Sequence, residues 1–181
     1  MTTHFLCIDS SLSCTGLAIM RVVSTDPPVF HLVSKNSIKV KQDKAKTRFE
    51  RKADIIEIFE YYLNQFADII HFALFEEYAY AAPGQLCDLA ELAGLYKYVL
   101  HKRNIPFDTI APKSVKKYVT GTGNASKELV AESIHKFIEN VEDFTFKNND
   151  ETDAIAIGIA YSLHMFEIEK QNELKQNTKE D

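Results

Sequence analysis

The fold turns on Phe5-Leu6-Cys7-Ile8-Asp9, an apolar run that stops abruptly at an acid, as a buried strand does when it carries a polar residue to a sheet edge. The pattern returns at Ile69-Ile70-His71-Phe72-Ala73-Leu74-Phe75, which ends at Glu76 and Glu77. If the two strands are parallel neighbours, Asp9 and Glu76 converge, because the carboxyl ends of such strands open on one edge of the sheet. Glu77 competes for the same role. Glu76 is preferred because it directly ends the apolar run.

Working outward, Gly16–Arg21 and Val29–Val33 read as two further strands, joined by turns through Ser10–Thr15 and Thr25-Asp26-Pro27-Pro28. With the first strand they make an antiparallel meander of three. Ile55, Ile56, Phe59, Tyr62, Leu63 and Phe66 recur at three- and four-residue steps and predict a helix from about Lys44 to Phe66 that lays this stripe on the sheet. Gln85–Arg103 is helical and apolar around much of its girth, more than one sheet face can cover, so its outer side is the expected homodimer interface. Pro106–Ile110 is a short fifth strand, Pro112 opens a helical turn, Gly121-Thr122-Gly123 breaks the chain, and a helix near Ser126–Ile138 follows. The last helix starts close to Asp150 and runs past Leu163. The order of elements predicts an α/β fold: a five-stranded mixed sheet, meander plus parallel strands, flanked by helices.

One domain fits 181 residues of 45% hydrophobic content, since a second core would leave each half near the lower limit of stability. It is expected to span 1–168, with the polar, stripe-free 169–181 as a frayed tail. Lacking a secretory pattern or a membrane-length apolar run, the chain is expected to be soluble and cytoplasmic, in a host cytoplasm if phage-encoded. Cys7, Cys14 and Cys87 form no C-x-x-C pair and are expected to be reduced.

The net charge of -5 opposes nucleic-acid binding only as an average. Lys35, Lys39, Lys41, Lys44, Lys46, Arg48, Arg51 and Lys52 are opposed within their stretch only by Asp43 and Glu50, and Lys113, Lys116, Lys117 and Lys127 make a second basic segment. Either could be a solvated face; two such runs in one acidic chain bring a polyanion partner level with that reading.

Asp150 and Asp153 lie three residues apart at a helix start, so both carboxylates share one face of the first turn. With Asp9 and Glu76 they complete a cluster of acids that needs cations to be stable. Hard oxygen ligands with incomplete shells suit Mg²⁺ that also binds a substrate phosphate. Singly, each piece has a plainer use: Asp150 and Asp153 as a helix cap and dipole partner, Asp9 as a turn organiser. The histidines are scattered without ligand spacing, His164 alone sharing a helix with the two aspartates.

Ile8–Leu17 (IDSSLSCTGL), Phe72–Glu77 (FALFEE), Pro112–Lys127 (PKSVKKYVTGTGNASK) and Asp150–Ile157 (DETDAIAI) resemble, in order and spacing, the RuvC family of Holliday junction resolvases. The lysine-rich block followed by D-x-x-D-A-I-A-I carries most of the specificity. The resemblance implies a ribonuclease H-like nuclease in which Asp9, Glu76, Asp150 and Asp153 bind two Mg²⁺ ions, with Mn²⁺ able to substitute. It implies further that Lys116 and Lys127 offset charge at the scissile phosphate. Lys113, Lys117, Lys41, Lys44, Lys46 and Arg48 are the expected DNA contacts. The family places an aromatic residue shortly after the strand-end glutamate to contact bases. This chain departs from that pattern, its nearest candidates being Tyr78 and Tyr80, for which stacking on bases and buried packing are both open. The implied partner is a four-way junction, nicked symmetrically by a homodimer. The rich Lys35–Lys52 segment fits a phage-encoded relative with a broader range of branched DNA. A ribonuclease of the same fold, an ATPase sharing the Asp9–Gly16 loop, and a catalytically silent DNA-binding module are the competing readings.

Overall fold

Apolar residues follow one another without alternation in β1 (His4–Asp9), where Phe5, Leu6, Cys7 and Ile8 are all buried. A strand shows that pattern when both faces of its sheet are covered. It pairs antiparallel with β2 (Thr15–Thr25), which pairs antiparallel with β3 (Pro28–Ile38). On the other side β1 pairs parallel with β4 (Ile70–Glu76), and β4 pairs parallel with β5 (Phe107–Ile110). The order β3-β2-β1-β4-β5 is the mixed sheet expected from the sequence. The structure is a computed structural model that describes residues 3–41, 43–77 and 86–177.

Helices α1 (Arg48–Asn64) and α2 (Leu86–Lys102) cover one face. Ile55, Phe59 and Leu63 of α1 and Leu92, Tyr96 and Leu100 of α2 pack there on Leu6, Ile8, Leu17 and Ile19. The other face carries α3 (Pro112–Thr120), α4 (Lys127–Ser133) and α5 (Asn149–Asn177) over Phe5, Cys7, Ala18 and Met20. From Ala154 to Ala160 α5 is buried all round, enclosed between the sheet and the two shorter helices. Among the described residues no helix is long and apolar enough to cross a membrane.

Several boundaries differ from those read in the sequence. Helix α1 starts at Arg48, not near Lys44, because Thr47 and Glu50 form a capping box that fixes the first turn. The helix expected over Ser126–Ile138 is α4, capped by Ser126, followed by a separate 3₁₀ turn over Ile134–Phe137. Strands β2 and β3 run on as a ribbon beyond the apolar core. The tail expected to fray from residue 169 is helical as far as Asn177. Its Glu, Lys, Gln and Leu residues are good helix formers, and α5 already supplies the costly nucleus.

Candidate active site

Ile8 stands opposite Phe75 in the parallel register, so the next residues, Asp9 and Glu76, emerge side by side at the carboxyl edge of the sheet. The start of α5 brings Asp153 to them. These three acids, with Lys116 of α3 and Lys127 of α4, line a cleft of about 150 Å³ backed by Pro112, Val115, Val130 and Ile157. Two helix starts and two strand ends thus meet at one point.

The electrostatics are those of an acid cluster short of positive charge. Burial, then the charges of Glu76, Asp153 and Asp150, push the Asp9 carboxyl up to about 7 against the pull of Lys127. Glu76 is likewise pushed up to about 7 by burial and by Asp153, opposed by Lys127 and Lys116. Lys127 Nζ donates to Asp153 Oδ2 at 2.7 Å, and this bond, with the surrounding carboxylates, raises the lysine above its ordinary value. A divalent cation would relieve the same imbalance, and the all-oxygen donor set suits a hard ion such as Mg²⁺ or Mn²⁺. Among the described residues no three such side chains are yet drawn together as a coordination cage, with Lys127 held on Asp153.

Asp150 stands apart from the other acids. It is half-buried and does not line the cleft; its carboxylate accepts the buried Cys14 thiol, a contact that helps raise that thiol to about 11. Of the two strand-end glutamates, Glu76 lines the cleft. Glu77 is exposed, accepts weakly from Thr109 Oγ1 at 3.4 Å, and lines a neighbouring hollow that it shares with Glu76 and Lys97.

The basic stretches divide in the same way. On α3, Lys116 turns to the cleft while Lys113 and Lys117 are exposed beside it. Within the Lys35–Lys52 stretch, Lys52 is buried and bonds Asp88 and Glu91 of α2. Lys35 pairs with Glu151 at 2.6 Å, Lys46 with Asp54 at 2.5 Å and Arg48 with Asp88 at 2.8 Å. Arg51 donates to the Leu12 carbonyl at 3.2 Å. Lys35, Arg51 and Lys52 are therefore tied into the fold, Lys46 and Arg48 hold exposed ion pairs, and Lys39, Lys41 and Lys44 are the exposed members without an ion pair among the described residues. Tyr78, Tyr80 and Gln85 lie outside the described residues. No histidine lines the cleft; His164 instead meets the Tyr118 hydroxyl at 2.8 Å.

Sequence reasoning missed the residues that hold the site. Thr15 Oγ1 donates to the Ser11 carbonyl at 2.9 Å and accepts from the Tyr96 hydroxyl at 2.9 Å, locking the turn after Asp9 to α2. Gly16, opposite Asp9 on β2, is the seat of the α5 backbone. A glycine beside an acid-ended strand was the available signal.

A family model for crossover junction endodeoxyribonuclease RuvC matches residues 5–161. The chain belongs to the RuvC family. A relative from Ehrlichia chaffeensis bearing that name is 28% identical over 161 residues, 88% of this chain and 97% of its own. Thermus thermophilus RuvC in complex with a Holliday junction substrate superposes with a TM-score of 0.74 at 20% identity, over 91% of this chain and 95% of that one. Fowlpox virus resolvase, solved with Holliday junction DNA, gives 0.54 at 15% identity over 91% and 99%. The fold is accordingly ribonuclease H-like, as in RuvC. The matched stretch includes Asp9, Glu76, Lys116, Lys127, Asp150 and Asp153.

Proposed function

We propose that this RuvC-family chain is a structure-selective DNA endonuclease that resolves Holliday junctions and related branched DNA, hydrolysing phosphodiesters with two Mg²⁺ ions, for which Mn²⁺ can substitute. The observation that carries the reading is the meeting of Asp9, Glu76 and Asp153 with Lys116 and Lys127 in one cleft. Asp150, one turn from Asp153 and bonded to Cys14, is the fourth carboxylate. Bound there, divalent cations would supply Lewis acidity at the scissile phosphate and a nucleophile from water at neutral pH. The carboxylates hold and orient; Lys116 and Lys127 stabilise the negative charge that grows on the phosphate oxygens. For Lys127 to reach that phosphate its bond to Asp153 would have to open.

Lys113, Lys117, Lys41 and Lys44 track the DNA backbone in this reading, and a homodimer places two such clefts for symmetrical nicks. The outer side of α2 supports the dimer: Ala90 and Gly94 are exposed, and Tyr98 is 60% exposed. The test is cleavage of a labelled four-way junction by the wild type and Asp9→Asn, with Mg²⁺, Mn²⁺ or EDTA, beside a binding assay. Paired metal-dependent nicks that the variant loses while still binding the junction are expected. Junction binding without cleavage in any metal would replace the nuclease with a binding module, and sedimentation as a monomer at micromolar concentration would remove the dimer.

A further inference from the structure

The first five residues of α5 carry three carboxylates, Asp150, Glu151 and Asp153, aimed in three directions. Asp153 faces the cleft, Asp150 meets Cys14, and Glu151 turns away to β3. There Lys35 Nζ lies 2.6 Å from Glu151 Oε2, the two side chains being 10% and 3% exposed. The same ammonium donates to the Thr145 carbonyl at 2.5 Å and sits 5.6 Å from the Phe146 ring centroid. Glu151 Oε2 also accepts the Lys147 amide at 3.0 Å. Two residues along β3, Ser37 Oγ accepts from Asn148 Nδ2 at 3.2 Å, while Asn148 Oδ1 accepts the Glu151 amide at 3.1 Å.

These ties fall on the rows of the sheet that carry the site. Ser37 pairs with Gly16, which pairs with Asp9; Lys35 pairs with Ala18, which pairs with Cys7. The helix start is therefore pinned on one end of a row whose other end is Asp9.

We propose that Lys35 and Glu151 are positioning residues for the metal-binding carboxylates, setting the rotation of α5 so that Asp153, and not Glu151, is presented towards Asp9. The inference rests on the metal-dependent reading above. Neighbouring helix positions differ by about 100° of rotation, so Glu151 and Asp153 lie on well-separated sides of the helix, and even a modest turn about its axis would move Asp153 off its bearing on Asp9. Stability alone does not account for the pair, because a buried ion pair is often matched or bettered by apolar residues of similar volume. A register device does account for it: the lysine neutralises a carboxylate of the helix start that turns away from the cleft, and only in the correct rotation does it find it.

The test replaces both members, Lys35→Met with Glu151→Met, which keeps bulk at the site and leaves no unpaired charge. Mn²⁺ binding to the DNA-free protein is followed by electron paramagnetic resonance, alongside kcat and KM on a four-way junction and thermal unfolding. Ligand-orienting partners commonly contribute about 10- to 100-fold in metal affinity or activity. At least a tenfold weakening of Mn²⁺ binding with a matching fall in kcat, at unchanged junction affinity and near-native Tm, is expected. A folded double variant that binds Mn²⁺ as the wild type does overturns the proposal. Should the double variant fail to fold, Glu151→Gln decides: it keeps an acceptor for the Lys147 amide but loses the charge, and Mn²⁺ binding weakened threefold or more supports the role while wild-type binding overturns it. If the wild type itself binds no Mn²⁺, the metal-dependent reading fails first, an outcome distinct from failure of the pair.

Discussion

The backbone of Asp150 rests on Gly16 so closely that a methyl carbon added to the glycine would lie 1.9 Å from the Asp150 carbonyl oxygen. Gly16 is also the direct cross-strand partner of Asp9. One residue thus sets the distance between the strand that carries the first acid and the helix that carries the last two. The contact is backbone to Cβ, so no side chain can swing aside to relieve it.

Gly16→Ala is expected to lift the first turn of α5 away from Asp9. A misplacement of about 1 Å can cost a reaction about 100-fold, and overpacking costs about 1–3 kcal/mol of stability. Cleavage should fall by that order while junction binding, carried by exposed lysines, persists. Wild-type turnover in the alanine variant would show that α5 does not need this seat.

Asp9 and Glu76 make the metal-free protein sensitive to pH in a definite direction. Both titrate near 7 in the fold but near about 4 when unfolded. Carboxyls with raised folded values contribute stability that is fully present below the unfolded value and lost as pH rises through the folded one. In EDTA, Asp9→Asn should therefore gain on the wild type between about pH 4 and 7 and exceed it in Tm above 7, by about 2–4 °C for each kcal/mol recovered. Added Mg²⁺ should raise the Tm of the wild type more than that of the variant. Scanning fluorimetry across pH checks this, and a variant that is no more stable than the wild type at pH 8 in EDTA would refute it.

Gly158 is the close-approach point further along α5. A Cβ there would lie 2.5 Å from Cys7 Sγ and 2.8 Å from Phe5 Cε2. Alanine is normally worth about 1 kcal/mol over glycine inside a helix, yet here Gly158→Ala should destabilise, by about 1–3 kcal/mol. Adding Cys7→Ala removes the nearest atom and should restore part of the loss. Denaturant unfolding of the cycle reads the coupling; simple additivity would mean that the helix does not bear on β1 at this point.

What the sequence made legible follows a physical pattern. Asp9 and Glu76 stood out because a buried parallel strand must be apolar throughout, so the acid that ends it marks the sheet edge. The α1 start at Arg48 was equally written in Thr47 and Glu50, a capping box overlooked in favour of the apolar stripe. Lys52 was misread for a related reason: it lies on that stripe, three residues before Ile55 and seven before Phe59, and a charge there needs a buried partner. Asp88 and Glu91, which supply it, lie on another helix, and pairings across helices leave no trace in local periodicity. Lys35 and Glu151 were hidden in the same way, separated by more than a hundred residues of chain.

Because the fold consumes so many of these cations, the two basic stretches should differ in salt dependence from what their composition suggests. Each phosphate contact adds about 0.9 to the slope of log affinity against log salt. Lys41 and Lys44 are exposed with no ion pair among the described residues, so Lys41→Gln with Lys44→Gln should lower the slope by about 2 if both meet DNA. Lys113→Gln with Lys117→Gln, on the exposed side of α3, should do the same beside the cleft. Lys46→Gln should leave the slope nearly unchanged, since its charge is already balanced by Asp54 at 2.5 Å. Titrations of a four-way junction at several salt concentrations separate the cases. Equal effects from Lys46 and Lys44 would mean that the Asp54 pair opens on binding and that the whole stretch faces the DNA; no effect from Lys41 and Lys44 would confine the backbone contacts to the surface around α3.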